Sequence, residues 1–187
     1  MRSIIIVIGI ILATLSLIYG AYKPLVKASS YIGALGKVQT ARSVGEFKTI
    51  FDTPVFFNSP VGDEEVIKFL SNDISEIIFQ ENMSEEASRA LVDYLEPHLF
   101  ANSVIHLLNG SRLHSILWQK FGHSEDFVIA ENYLKKAKRI GPQLPPVLYG
   151  FLGLYSAKGD EENIQKISEE ILKYWPNDEK VKSLLQK

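Results

Sequence analysis

The chain contains no cysteine. That excludes disulfides, thiol nucleophiles and cysteine-held metals. Histidine is scarce: His98, His106, His114 and His123 make four in all. None forms the i, i+4 pair that sets two zinc ligands on one helix face. The eight-residue steps from His98 to His114 drift around a helix, so these side chains read as ordinary surface or half-buried histidines. No phosphate loop or nucleophile elbow occurs, and Gly33-Ala34-Leu35-Gly36 is too short for either. An excess of positive charge is also missing. With 20 Lys/Arg against 22 Asp/Glu, the net charge is −2, which excludes a dedicated nucleic-acid surface. Alternating β-pattern is nearly absent. Val55-Phe56-Phe57 is one short β-like run, and an isolated strand has no partner, so it reads as a buried connection. No catalytic residue, metal ligand or cofactor is expected. Trp118 and Trp175 read as core packing.

What the chain does have is one long apolar run, Ser3 to Tyr22, without a charge. About 20 such residues are what a helix needs to cross a hydrocarbon core. A cleaved signal peptide has a shorter apolar region and small residues before the cut. The obvious cut here, after Ala21, would place Tyr19 at the upstream small position. A retained, single-pass transmembrane helix is therefore the expectation, with the lipid bilayer as partner through residues 3–22. Gly9, Ala13, Ser16 and Gly20 form one stripe of small residues at i, i+4, i+7 and i+11. Such a stripe lets a second membrane helix approach closely. Lys23, Lys27 and Lys37 follow the span, and the positive-inside bias would hold them in the cytoplasm. Long domains behind an N-terminal signal anchor translocate regardless of charge. The soluble part is expected to be extracytoplasmic, with a cytoplasmic location as the alternative.

Charge is uneven beyond the span. Residues 1–48 carry net +5, residues 49–96 net −9 and residues 97–187 net +2. Helical periodicity dominates throughout. Pro24 should end or kink the membrane helix. A stalk-like helix follows, Leu25 to Arg42, with Val26, Tyr31, Leu35 and Val38 on one stripe. Ser43 caps a short helix, Val44 to Phe51. Thr53-Pro54 and Asn58-Ser59-Pro60-Val61-Gly62 are breaks. Asp63 opens a helix to about Gln80, with Val66, Phe69, Leu70, Ile74, Ile77 and Ile78 facing a core. Its three leading acids, Asp63-Glu64-Glu65, suit the positive end of the helix dipole. Ser84 opens the next helix, which Pro97 interrupts. Leu99 to Leu108 resumes, Asn109-Gly110 closes it, and Ser111 opens Arg112 to Phe121. Ser124 opens Glu125 to Ile140, stopped by Gly141-Pro142. Pro145-Pro146 lead into Val147 to Ala157. Asp160 caps Glu161 to Trp175, and Asp178 to Gln186 ends the chain with Val181, Leu184 and Leu185 inward. The expected fold class is all-α.

The last helix pairs repeat. Pro142 and Pro176 lie 34 residues apart, as do Phe121 and Tyr155, and Ala137 and Ile171. Tyr155-Ser156-Ala157-Lys158-Gly159-Asp160 forms an aromatic-to-turn motif. Ala130, Leu134, Ala137 and Pro142 form a second-helix pattern. Together these resemble the tetratricopeptide repeat family. Leu152, Ile164 and Ser168 depart from that family's pattern, and the upstream helices do not keep the phase. The resemblance covers residues 111–187. It implies antiparallel hairpins stacked as a short solenoid, a C-terminal capping helix, and a protein-binding scaffold.

The expected organisation is an anchor (1–24), a juxtamembrane helix (25–42), an irregular helical region (43–110) and tetratricopeptide-like repeats (111–187). The expected function is a membrane-anchored, non-enzymatic scaffold for protein–protein interaction, by family analogy in a cell-envelope complex. Asn132, Lys136 and Tyr149 are the candidate partner-binding residues. The alternative is a structural subunit assembled through its transmembrane helix.

Overall fold

The computed structural model describes residues 2–185. All regular structure among them is helical. The chain divides into two compact units, Met1–Leu70 and Ser71–Lys187.

In the first unit, α1 (Arg2–Leu17), a π-type turn (Ile18–Tyr22) and α2 (Lys23–Val38) run on as a single helix. Its stretch Ser3–Val38 is long and apolar enough to cross a membrane, and none of its most apolar window is buried. Length and composition alone would also admit a signal sequence. Of the two outcomes expected at Pro24, the helix does not end there, and its regular ladder is interrupted by the π-type turn just before it. A proline ring crowds the carbonyl four residues back and has no N–H to offer it. The wide turn relieves that conflict: the Lys23 N–H already reaches five residues back, to the Ile18 carbonyl, so the ladder is displaced where Pro24 arrives.

Beyond Pro24, α2 turns Lys27, Tyr31 and Ala34 into the unit's core. Of the stripe expected there, Tyr31 is buried, while Val26, Leu35 and Val38 are half-buried. α3 (Val44–Phe56) begins at Ser43, whose Oγ accepts from the Glu46 N–H at 3.1 Å. Glu46 reaches back to the Arg42 N–H at 2.8 Å, so two orphan donors at the helix start are satisfied together. The break expected at Thr53-Pro54 does not occur. Pro54 lies buried inside α3, and Val55-Phe56 continue the helix rather than forming a buried connection. The proline forfeits one hydrogen bond in the last turn, and the ladder closes beyond it, from the Phe57 N–H to the Thr53 carbonyl at 3.1 Å. Phe47, Phe51 and Tyr31 pack with tilted rings in the core, with centroids 4.7 Å (Phe47–Phe51) and 5.9 Å (Tyr31–Phe51) apart. α4 (Asp63–Phe79) buries Val66, Ile67 and Leu70 in its first half. Phe69, expected to face the core, is exposed. The division between units falls inside α4.

In the second unit, α4 buries Ile74 and Ile78. α5 (Glu85–Leu95) is capped by Ser84 Oγ on the Ala87 N–H. A 3-10 turn, Glu96–His98, forms at Pro97. The expected helices Leu99 to Leu108 and Arg112 to Phe121 are replaced by one: α6 runs unbroken over Val104–Phe121, and residues 99–103 are not helical. Asn109-Gly110 is therefore not a break. Gly110 is there because the Tyr133 ring lies where a Cβ would stand, with ring atoms 2.8 Å from that position. α7 (Ser124–Ile140) follows, with His123 rather than Ser124 at the cap position and no side-chain cap. Then come α8 (Pro145–Lys158), α9 (Glu161–Tyr174) and α10 (Glu179–Leu184). Asp160 and Asp178 cap the last two on the Asn163 and Val181 N–H groups.

α6 packs on α7 and α8, α8 on α7 and α9, and α9 on α10. Leu107, Leu134, Val147, Leu148, Ile171 and Val181 are among the buried residues of this core. Trp118 and Trp175 pack against it, half-buried. Leu184 and Leu185, expected inward, are exposed, because α10 ends at Leu184 after little more than a turn. Gln186, to which that helix was expected to extend, lies outside the described residues.

The 34-residue spacing holds at one end of the hairpins. α7 and α9 close at Gly141 and Trp175, with φ/ψ of −134/76 and −129/77. The turns before these helices lie at Gly122 and Gly159, both in the left-handed region, and these are 37 residues apart. The difference is in length: α7 has 17 residues and α9 has 14.

Candidate functional site

A polar arrangement in the second unit joins α5, the 3-10 turn, α6 and α7, with His114 and Asp126 buried and Arg89, Glu85, Glu96 and His123 reaching in from partly exposed positions. His114 lies at its centre, on an α6 stripe shared with Leu107, Gly110 and Leu117. Its Nδ1 faces Asp126 Oδ1 at 3.1 Å, and its Nε2 faces Glu96 Oε1 at 3.3 Å. Asp126 occupies the first turn of α7, where the helix dipole favours a carboxylate. Its second oxygen accepts from Arg89 Nη2 at 2.8 Å. Arg89 also donates from Nε to Glu85 at 2.8 Å, and His123 Nε2 stands 2.9 Å from the same Glu85 oxygen. Glu96 accepts from the Tyr133 hydroxyl at 2.6 Å. The Tyr133 ring stacks on His114, centroids 6.0 Å apart. Lys136 reaches over the other edge of the cluster, 5.3 Å from the Tyr133 ring centroid.

The charges support one another. Burial pushes the His114 pKa down, but Glu96 and Asp126 hold its charged form and carry it above the ordinary value. Glu96 is held below the usual carboxylate range, chiefly by the hydrogen bond from His114. Asp126 is raised by burial and lowered further by Arg89 and His114, and it ends below its ordinary value. Burial and Glu96 together raise the Tyr133 hydroxyl. A carboxylate stands at each ring nitrogen of His114, an arrangement that favours its protonated form. Both ring nitrogens face carboxylates and the ring has little exposure. The arrangement is a clasp that joins four segments, and it replaces the expectation of an ordinary histidine at position 114. His106 is likewise fully buried, accepting at Nδ1 from the Phe100 N–H at 3.2 Å. Among the described residues no group of three or more His, Asp or Glu is arranged to hold a metal ion.

Of the three candidate partner-binding residues, two share one side of a helix and the third does not. Asn132 and Lys136 share the exposed side of α7 with Ile129 and Ile140, at positions i+3, i+7 and i+11 from Ile129. Both isoleucines are exposed. Tyr149 is half-buried on α8 and packs against the apolar core. Gly9, Ala13, Ser16 and Gly20 all lie exposed along the N-terminal helix. A shallow groove of about 260 Å³ elsewhere in this unit is lined by Lys135, Lys138, Phe151 and Lys166, among others. None of the three candidates lines it, and Lys138 is already paired with Glu170 at 2.6 Å.

The clasp was missed by sequence reasoning, although one signal existed. Asp126 sits on the same inward stripe as Ala130, Tyr133 and Ala137, so a carboxylate was bound for the interior and needed a cation or donor there. Neither Arg89, 37 residues away, nor Glu96 is marked by any local spacing. No protein-family model, curated protein or solved structure matches the chain.

Proposed function

We propose that this is a single-pass membrane protein whose helical hairpins dock another protein, with the outer side of α7 as the contact surface. The observation that carries this reading is the Ile129–Asn132–Lys136–Ile140 stripe. Two apolar side chains stand exposed at its ends, with an amide and a cation between them. The underside of the same helix is immobilised by the clasp and the core, so the surface is pre-organised, which lowers the cost of binding. The pairing of α6–α7 with α8–α9 and the recurring helix ends at Gly141 and Trp175 support a tetratricopeptide-like stack. The unburied N-terminal helix supports the anchor. Both ring nitrogens of the central histidine are occupied, which favours a binding role over an enzymatic one. A cell-envelope complex is the setting the repeat resemblance suggests.

The test is site-specific photocrosslinking in membranes. A photoreactive residue at Asn132 is expected to give one discrete protein adduct, lost on Ile129→Asp, whereas the same probe at Glu162 on α9 gives none. Equal adducts from both positions, or none from Asn132, overturn the docking surface. Alkaline extraction tests the anchor: release of the full chain from membranes, or a mature N-terminus after Ala21, overturns it. A cysteine in place of Gln143, with a membrane-impermeant maleimide, decides the side. Labelling of intact cells is expected for the extracytoplasmic placement.

A second reading is a structural subunit assembled through its span. The small-residue stripe favours it, since the Cβ position at Gly9 meets no other atom within 4 Å, leaving that side open to a partner helix. Gly9→Leu with Ala13→Leu would then abolish assembly and leave the Asn132 adduct intact.

A further inference from the structure

The first unit contains a larger opening than the groove beside Lys138. A groove of about 630 Å³ lies between α2 and the start of α4, within the size range of small-molecule sites. Its walls are mostly apolar, with Ala28, Ile32 and Leu35 on one side and Val61, Val66 and Phe69 on the other, and Glu65 also lines it. Lys27 also lines it, with its Nζ turned away and donating to the Phe57 carbonyl at 2.8 Å and to Asp63. Its aliphatic stem faces Gly62, whose Cβ position is 3.7 Å from Lys27 Cδ. At the mouth, Ile32 is 68% and Val61 59% exposed. Exposed large side chains that adjoin an apolar groove form a contiguous patch, of the kind that marks an interaction site.

The position of the groove says with what. It begins at Pro24, two residues beyond Tyr22, where the apolar run ends. Ile32 is ten residues past Tyr22, or about 15 Å along the helix. The headgroup layer is roughly 5–8 Å deep on each side of the hydrocarbon core. The groove therefore begins at headgroup level, at Pro24, and extends beyond that layer to Ile32 and Leu35, along the same helix that carries the span. Lys23, next to Pro24 in the chain, holds its Nζ over the Tyr19 ring, 4.5 Å from the centroid, which puts a positive charge on the span side of the groove, where lipid phosphates lie.

We propose that this groove binds one acyl chain of a glycerophospholipid drawn from the adjoining leaflet, with its phosphate near Lys23. The proposal rests on the membrane-anchor reading above. It assigns the exposed side of α2 to lipid rather than to protein.

The full chain, reconstituted into vesicles of phosphatidylcholine and phosphatidylglycerol, is irradiated with a phosphatidylcholine bearing a diazirine near the end of one chain. Adducts are mapped by mass spectrometry. Two sets are expected, one within residues 3–22 and one within residues 61–69. Ala28→Trp, which fills the groove from an exposed position, should lower the second set about tenfold, a binding loss near 1.4 kcal/mol, and leave the first unchanged. Ile32→Asp serves the same purpose should the tryptophan variant fail to fold. Adducts in the span without any at 61–69 overturn the groove and leave the anchor standing. Absence of both sets overturns the anchor and the groove together. Adducts at 61–69 that persist in the variants, or that join those residues to another polypeptide, also overturn the proposal.

Discussion

Gly110→Ala puts the packing of α6 on α7 to a direct test. In an isolated helix this change is favourable by about 1 kcal/mol, because alanine restricts the unfolded chain and suits the helix. At position 110 the added methyl meets three Tyr133 ring atoms at 2.8–2.9 Å. The ring must retreat by more than about 0.5 Å to reach ordinary carbon contact. It is not free to do so, because its hydroxyl donates to Glu96 at 2.6 Å and its face lies on His114. Overpacking of this kind costs about 1–3 kcal/mol, and a strained hydrogen bond to a charged acceptor puts a further 1.5–3 kcal/mol or so at risk. The net expectation is a loss of about 1–3 kcal/mol despite the better propensity. Gly153→Ala supplies the contrast. That glycine is exposed in α8 with nothing within 4 Å of its Cβ position, so the change should stabilise by about 0.5–1 kcal/mol. Pulse proteolysis of the full chain in mild detergent, across a urea series, reads both variants. The reasoning is refuted if Gly110→Ala unfolds at the same or higher urea as the parent. It fails equally if Gly110→Ala is just as harmful in a Tyr133→Ala background, where the obstructing ring is gone.

Two further outcomes follow from the same contacts. The raised pKa of His114 contributes stability in full below the unfolded value of 6.5, and that contribution is lost as pH rises through the folded value. The lowered Asp126 and Glu96 contribute above their ordinary values of 3.8 and 4.5, and they lose stability as acid protonates them. Urea midpoints by pulse proteolysis should therefore peak at mildly acidic pH and fall on the alkaline side, and His114→Gln should flatten the alkaline fall; an unchanged slope in that variant refutes the clasp. In the first unit, Lys27→Met should destabilise by about 1.5–3 kcal/mol through loss of a charged hydrogen bond. Asp63 is half exposed and can rehydrate, so a loss well beyond that range, read by protease protection of α2, would contradict the assignment.

The helical class, the apolar N-terminal run and most helix starts are legible in the chain, because these depend on neighbours within a turn or two. Ser43, Ser84, Asp160 and Asp178 cap where their side chains can reach the next N–H groups, and periodicity exposes which side of a helix is apolar. Local rules failed where a distant group changed the balance. Asn109-Gly110 carries a break signal, yet α6 passes through it because a tyrosine ring 23 residues on occupies the glycine's empty side. Pro24 and Pro54 carry stop signals, yet a widened turn before one and a terminal position for the other leave few hydrogen bonds to lose. The clasp was further from reach. A buried carboxylate at Asp126 could be anticipated from its stripe, but its cation, its histidine and the second carboxylate come from three other segments. Only tertiary packing chooses those partners, because a buried charge is stabilised by whichever opposite charge the fold brings within a few ångströms, however far apart the two lie in the chain.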